Sequence, residues 1–145
     1  MGWNPQHIVA AVDGSEQSLV AARTAVEIAR DSGARLTFVT VVRPPEGWWG
    51  LEGAPPSPEV LAEAIAEGGR ELNSMIGTLD TEGIQVDTSE ELGDPASKII
   101  EVVEANNADL LVVGRRGAGL VERVMLGSVA DRLAHNAPCP LLIVP

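Results

Sequence analysis

The residues best suited to chemistry lie in one stretch, GRRGAGLVERVMLGSVADRL (114–133). Gly114 and Gly117 follow an apolar run directly, and Gly127 and Ser128 come after nine intervening residues, where a helical pattern begins. Glycine lets a ligand approach the backbone closely, and the first N–H groups of a helix lack intrahelical acceptors, so both places favour an anion. The spacing fits a phosphate cradle. It fits equally well a βα loop in which Gly114 and Gly117 adopt positive φ and Ser128 caps the helix.

Two common phosphate motifs are excluded in this stretch. The Walker A motif requires a Gly-Lys pair, and the chain contains none. The dinucleotide fingerprint G-x-G-x-x-G fits Gly117 and Gly119, but its third position is occupied by Glu122. The pattern that remains is G-x-x-G-x9-G-S.

The charge of the chain restricts what it can bind. The formal net charge is −11, which argues against broad electrostatic binding to nucleic acid or to an anionic membrane surface. The glycine-rich stretch is a local exception, because it carries Arg115, Arg116 and Arg123 against Glu122 alone. The pattern does not decide whether Arg115 or Arg116 turns inward. An anion bound here would meet a local positive charge on an acidic protein.

Apolar periodicity predicts the elements that position this stretch. The predicted strands are 7–12, 35–42, 84–92, 108–114 and 140–145, and the helices are 16–31, 60–79, a segment starting at Pro95, and 128–136. Because strands and helices alternate, we predict an α/β fold, a single doubly wound parallel sheet of five strands with helices on both faces, in one domain, 1–145. Such folds bind ligands at the carboxyl ends of the strands, where Asp13, Val41 and Gly114 lie.

One irregular stretch, RPPEGWWGLEGAPPSP (43–58), follows the second strand. It contains Trp48 and Trp49, which lie after the strand end where a ligand would bind. Three interpretations of the two indoles are open: a lid over the ligand, a contact surface for a partner, or packing onto the adjacent helix.

The similarity to a known family extends over nearly the whole chain. The G-x-x-G-x9-G-S spacing is the signature of ATP-binding members of the universal stress protein family. The segment IVAAVDGSEQSLVAARTAVEIAR (8–30) resembles that family's first strand and helix. GDPASKIIEVVEANNADLLVVG (93–114) resembles its third helix and fourth strand, and LGSVADRLAHNAPCPLLIVP (126–145) its closing helix and strand. Only 43–58 is peculiar to this chain, and it lies at a place where the family is variable.

The resemblance implies a sheet order of 3-2-1-4-5, with ATP bound across strands 1, 2 and 4. Asp13 would meet the ribose or the adenine, and the Val41 backbone would read the adenine edge, although a helix cap and a plain core residue are the respective alternatives. The ribose and phosphates would lie along the glycine-rich stretch. The binding residues expected from this placement are Ala11, Val12, Asp13, Val41, Val113, Gly114, Arg116, Gly117, Gly127, Ser128 and Val129. The resemblance also implies Mg²⁺ or Mn²⁺ on the phosphates and a homodimer formed through the last strand, 141–144.

Groups that usually carry catalysis or bind metals are sparse. His7 and His135 lie far apart, no Cys/His cluster predicts a metal site, and no general base accompanies the glycines. The single Cys139 lies beside an apolar strand, so we expect it to be a buried small hydrophobe. We therefore predict no catalytic residue, no metal site built from side chains, and at most weak ATP hydrolysis.

The resulting hypothesis is an ATP-binding universal stress protein that acts as a nucleotide-dependent switch or sensor in the stress response. The N-terminal MGWNPQ lacks the features of a signal peptide, and no apolar run approaches the ~20 residues that span a bilayer, so we expect a cytoplasmic location. The alternatives are a slow ATPase or phosphoryl-transfer enzyme and a nucleotide-free dimeric scaffold. AMP and cyclic AMP are alternative ligands.

Overall fold

Strands and helices alternate along the chain as the periodicity predicts. The structure, a computed structural model, describes residues 2–43, 56–115 and 126–145. The elements are β1 (His7–Ala11), α1 (Glu16–Ser32), β2 (Arg35–Val42), α2 (Pro58–Ile76), β3 (Val86–Leu92), α3 (Pro95–Ala105), β4 (Leu110–Gly114), α4 (Ser128–Asn136) and β5 (Leu141–Val144). The predictions that concern Trp48, Trp49, Arg116 and Gly117 lie outside the described residues.

All five strands are parallel and stand in the order β3-β2-β1-β4-β5, which confirms the predicted fold class and strand order. Side chains alternate between the two faces of the sheet. On β1, Ile8 and Ala10 pack with α1 and α2, whereas Val9 and Ala11 pack with α3 and α4. The strand order reverses at β1 and β4, which is where ligands bind in doubly wound sheets.

Three of the helices begin with a side-chain cap and one does not. The side chains of Ser15, Ser57 and Asp94 accept the backbone N–H three residues later and cap α1, α2 and α3. The cap residue of α4 is Gly127, and no described side chain bonds to the N-terminus of this helix. Among the described residues, its leading N–H groups therefore have no side-chain partner of the kind that α1, α2 and α3 have.

The two adjacent glycines of α2 have different roles, although glycine in a helix interior costs about 1 kcal/mol relative to alanine. A Cβ on Gly68 would lie 2.8 Å from Cγ2 of Val42, so the absent side chain lets α2 approach β2. A Cβ on Gly69 would meet only the flexible side chain of Glu90, at 3.2 Å from its Oε1. The cost of Gly68 is thus offset by close helix–sheet packing.

The edges of the sheet are β3 and β5, in agreement with the order implied by the family resemblance. In β5, Leu141, Leu142 and Ile143 are half-buried and Val144 is buried. Of the helices within the described ranges, none combines the length and apolar character needed to cross a membrane.

Candidate functional site

A cavity of about 470 Å³ lies at the carboxyl ends of β1, β2 and β4, on the face of the sheet that α3 and α4 cover. This volume lies within the range of about 300–1,000 Å³ that is typical of small-molecule sites. The predicted site residues that line it are Ala11, Val12, Asp13, Val41, Val113, Gly114, Gly127, Ser128 and Val129. Arg116 and Gly117, the other two, lie outside the described residues.

The floor of the cavity is apolar because successive strand residues point to opposite faces. Ala11, Val41 and Val113 belong to the cluster of side chains that faces α3 and α4. Each lies at or next to the end of its strand and lines the cavity, and Ile99 of α3 faces them. A flat apolar group of a ligand can be buried here. Val41 therefore both packs against the core and borders the site.

The backbone of Val41 lies beyond the end of the β1–β2 pairing. The carbonyl of Val39 accepts the N–H of Val12 on the β1 side at 2.9 Å, and the carbonyl of Val42 accepts the N–H of Gly93 on the β3 side at 3.0 Å. Because strand residues alternate in the side to which they bond, the N–H and C=O of Val41 point toward β1. The β1–β2 pairing ends at Ala11 and Val39, so these groups extend past the end of β1, where a ligand edge can pair with them.

Asp13 is held in place by the first turn of α1. Its Oδ1 accepts the backbone N–H of Ser15 at 2.9 Å and the hydroxyl of the same residue at 2.5 Å. Its own N–H donates to Oγ of the buried Ser18 at 3.3 Å, and that hydroxyl donates to the Ser15 carbonyl at 2.9 Å. Ser15, whose Oγ accepts the Ser18 N–H, is the cap of α1, so the interpretation of Asp13 as the cap is wrong. Asp13 instead presents a fixed carboxylate at the cavity.

The N-terminus of α4 opens onto the same cavity. Asp131 donates its N–H to the Gly127 carbonyl at 2.9 Å, which is the first bond of the helix. The preceding amides of Ser128, Val129 and Ala130 have no intrahelical acceptor. The N–H of Gly127 donates instead to the Arg115 carbonyl at 2.9 Å. The positive end of the helix dipole and three backbone donors thus border the cavity, a favourable arrangement for an anion.

Gly114 is glycine for a reason that the loop pattern does not reveal. Its φ is not positive, so the interpretation based on a left-handed turn is wrong at this position. A Cβ on Gly114 would lie 3.1 Å from the backbone C and O of Gln17 and 3.3 Å from the backbone N of Ser18. The missing side chain lets the first turn of α1 pack against the end of β4 and so brings Asp13 to the cavity.

Sequence reasoning missed several residues that line the cavity: Ser18, Val39, Arg43, Pro95, Ile99 and Ala130. Arg43 is the most informative, because it is an exposed cationic residue directly after β2 that lines the same cavity as Val41. Its position one residue after a predicted strand was a usable signal. Ser18 could not be found in this way, because its role depends on the fold of the β1–α1 turn.

Other titratable groups lie away from the cavity. His7 is buried at the amino end of β1, with Nε2 2.7 Å from Oγ1 of Thr37, and burial together with the nearby Arg35 lowers its pKa. Cys139 is half-buried rather than fully buried, packs against the α3 and α4 side of the core, and has a pKa raised by this burial. Among the described residues, no group of three or more His, Cys, Asp or Glu side chains is arranged to hold a metal ion.

Comparison with known proteins gives consistent matches over nearly the whole chain. The sequence model of the universal stress protein family matches residues 4–145. The chain is 37% identical over 145 residues to Universal stress protein MJ0531 of Methanocaldococcus jannaschii, and the aligned region covers 94% of this chain and 80% of that protein. It is similar in structure to the universal stress protein UspA from Lactobacillus plantarum, with a TM-score of 0.76, 24% identity and coverage of 99% and 100% of the two chains. A crystal structure of a universal stress protein in complex with cAMP matches with a TM-score of 0.64, 25% identity and 99% coverage of each chain.

Proposed function

Because this chain belongs to the universal stress protein family, we propose that it binds an adenine nucleotide, ATP foremost, and acts as a nucleotide-dependent switch or sensor in the stress response. One observation carries the proposal. The N-terminus of α4, which no described side chain caps, borders the same cavity as the strand edge at Val41 beyond the β1–β2 pairing and the fixed carboxylate of Asp13. A universal stress protein of the same fold, 25% identical, binds cAMP, and that ligand shares the adenosine and phosphate groups invoked here.

Each part of the nucleotide has a chemically suitable partner. The adenine would lie on the apolar floor, with its edge against the N–H and C=O of Val41. The ribose hydroxyls would donate to Asp13, because a carboxylate accepts hydroxyl protons well. The phosphates would accept from the amides of Ser128 and Val129 and from the Ser128 hydroxyl. We propose that Gly127 contributes the space of its missing Cβ, since its own N–H is bonded to Arg115.

Arg116 and Gly117 stay in the proposal as contacts to the ribose and phosphates, on the strength of the family motif. The phosphates would also carry Mg²⁺ or Mn²⁺. Asp13 is the carboxylate that lines the described cavity, and its Oδ1 already accepts two bonds from Ser15. We therefore propose that the ion, which would neutralise phosphate charge, is held mainly by the nucleotide, with Asp13 at most in contact with a water of that ion.

The site favours binding over catalysis. The polar side chains of the described cavity lining are those of Asp13, Ser18, Arg43 and Ser128. No imidazole, thiol or second carboxylate stands among them to take a proton from an attacking water. The hydroxyl of Ser18 is bonded to the β1–α1 turn on both sides. We propose that the bound or unbound state carries the signal in a cytoplasmic protein.

The ligand that co-purifies with the protein, identified by mass spectrometry after denaturation, tests the proposal directly. Thermal unfolding is then measured with ATP, ADP, AMP and cyclic AMP. A nucleotide at one hundred times its Kd raises Tm by roughly 5–10 °C for a chain of this length. Gly127→Val places a side chain where the phosphates would lie, and we expect it to remove this rise. Gly2→Val is the control, because a Cβ at Gly2 meets nothing within 4 Å.

The outcomes separate the three hypotheses. A flat thermal response to all four nucleotides, with nothing co-purifying, would overturn the binding proposal and favour the nucleotide-free scaffold. Phosphate release well above the level of a contaminant, lost in Gly117→Val, would favour a slow ATPase instead. A rise with ATP that Gly127→Val removes and Gly2→Val retains supports the proposed site.

We also propose that the protein is a homodimer paired through β5. The carbonyl of Pro140 accepts the N–H of Leu111 in β4, and the carbonyl of Val144 accepts the N–H of Arg115, directly after β4. By alternation, the N–H and C=O of Ile143 point outward from the sheet edge. An apolar edge strand of this kind is usually covered. We expect a dimer in sedimentation at micromolar concentration and a monomer for Ile143→Pro, which lacks the outward donor. A monomeric wild-type protein would contradict this proposal.

A further inference from the structure

Two helix N-termini border the cavity, and they carry opposite electrostatic features. No described side chain caps the N-terminus of α4, whereas α3 is capped by Asp94, which precedes the cavity residue Pro95. Oδ2 of Asp94 accepts the N–H of Ser97 at 3.1 Å and its hydroxyl at 2.8 Å. These bonds, together with Arg132, hold the pKa of Asp94 below its usual value, so it is a carboxylate at neutral pH. An anionic side chain thus belongs to the residue that precedes Pro95 of the cavity lining.

Arg132 connects this carboxylate to α4. Its Nη1 donates to Oδ2 of Asp94 at 2.7 Å, and its Nη2 donates to Oγ of Ser97 at 3.4 Å. Arg132 lies four residues after Ser128, so the two residues share a face of α4, with Cβ atoms about 5–6 Å apart. The ion pair therefore joins the cap of α3 to the second turn of α4, one turn after the proposed phosphate donors.

We propose that Arg132 is a positioning residue for the phosphates: by pairing with Asp94 it neutralises that carboxylate and fixes the N-terminus of α4 against α3. The inference rests on the proposed function, because it concerns how the same site accepts a phosphate chain. We therefore expect the Arg132–Asp94 pair to affect the affinity for a ligand in proportion to the charge of that ligand. The adenosine part of the ligand would lie over the strands, so its binding should be insensitive to the ion pair.

The effect should be moderate because both side chains are about half exposed. A charge within a Debye length of about 8 Å interacts appreciably with a triphosphate, and removal of Arg132 also unmasks the opposite charge of Asp94. We expect Arg132→Gln to weaken the affinity for ATP about three- to ten-fold and the affinity for AMP about two-fold, and to leave the affinity for adenosine unchanged. The loss should shrink as salt is raised.

The chain provides a matched control at the other end of the sheet. Arg35, the first residue of β2, pairs with Asp87 at 2.9 Å, and these two side chains are also about half exposed. Arg35→Gln changes the net charge by the same amount as Arg132→Gln, but far from the carboxyl ends of the strands. Asp94→Asn/Arg132→Gln removes both charges of the pair, and asparagine caps a helix about as well as aspartate.

Affinities for ATP, AMP and adenosine are measured by titration calorimetry on the wild type and these variants, with unfolding curves of each ligand-free protein. The inference is supported if Arg132→Gln weakens the binding of ATP more than that of AMP and leaves the binding of adenosine unchanged. It also requires that Arg35→Gln leave all three affinities unchanged and that the double variant recover most of the ATP affinity. It is overturned if Arg132→Gln and Arg35→Gln act alike, if adenosine weakens as much as ATP, or if the double variant recovers nothing. A wild type that binds none of the three ligands would overturn the proposed function itself and this inference with it.

Discussion

Gly114→Ala tests whether the end of β4 must carry a glycine for packing. The added Cβ would lie 3.1 Å from two backbone atoms of Gln17 and 3.3 Å from the backbone N of Ser18. Backbone atoms cannot rotate away, so the first turn of α1 or the end of β4 must shift by a few tenths of an ångström. Overpacking of this kind costs about 1–3 kcal/mol. For a chain of this length that lowers Tm by about 3–10 °C.

The assay is thermal and urea unfolding of the ligand-free protein, followed by thermal unfolding with ATP. Because Ser15 and Ser18 hold Asp13 from the turn that must shift, we expect the nucleotide-induced rise in Tm to fall as well. Gly69→Ala is the control, since its Cβ meets only the flexible Glu90 side chain. There alanine should raise the free energy of unfolding by up to about 1 kcal/mol, because it is the better helix former.

The reasoning fails if Gly114→Ala unfolds at the wild-type temperature and urea midpoint. It fails also if the variant loses stability while the response to ATP is untouched, because the proposed link from Gly114 through α1 to Asp13 would then not operate.

Three further predictions concern the scaffold. Gly68→Ala should lower Tm although Gly69→Ala raises it, because only the first Cβ meets Val42, at 2.8 Å. Ser15→Ala should cost about 1 kcal/mol of stability through the lost cap of α1 in urea unfolding, and equal midpoints would contradict the capping role. The pKa of His7 is lowered in the folded state, so its contribution to stability is complete above the unfolded value of 6.5 and is lost as pH falls toward the folded value. The urea midpoint of the wild type should therefore fall more between pH 7.5 and 5.5 than that of His7→Gln, and parallel pH profiles would refute this.

The fold was accessible from sequence because its signals are local. β-branched apolar runs predict buried parallel strands, and apolar residues at three- and four-residue steps predict the helices between them. Even Pro95 at the first position of α3, after the Asp94 cap, obeys a local rule. The strand order came from family resemblance, since alternation alone does not specify which strands are neighbours.

The site was accessible only in part. Strand ends were predictable, so Asp13, Val41 and Gly114 could be placed at one edge of the sheet, and all three line the cavity. The contribution of Ser18 was not predictable, because its hydroxyl acts only once the β1–α1 turn brings it under Asp13. The pairing of Arg132 with Asp94 was hidden for a similar reason. The two residues are 38 positions apart, and only the packing of α4 beside α3 joins them.

The glycine motif appears as one pattern in the sequence, yet its described members serve different physical ends. Gly114 lacks a side chain, so α1 can pack against β4. Gly127 donates its N–H to the Arg115 carbonyl and, as the cap residue of α4, has no side chain to bond the first N–H groups of the helix. Ser128 supplies donors beyond that uncapped start. If these roles are separate, variants must separate them. Gly114→Ala should fail first in stability and Gly127→Val first in nucleotide response. Identical behaviour of the two variants in unfolding and in binding would mean that the motif acts as a single structural unit after all.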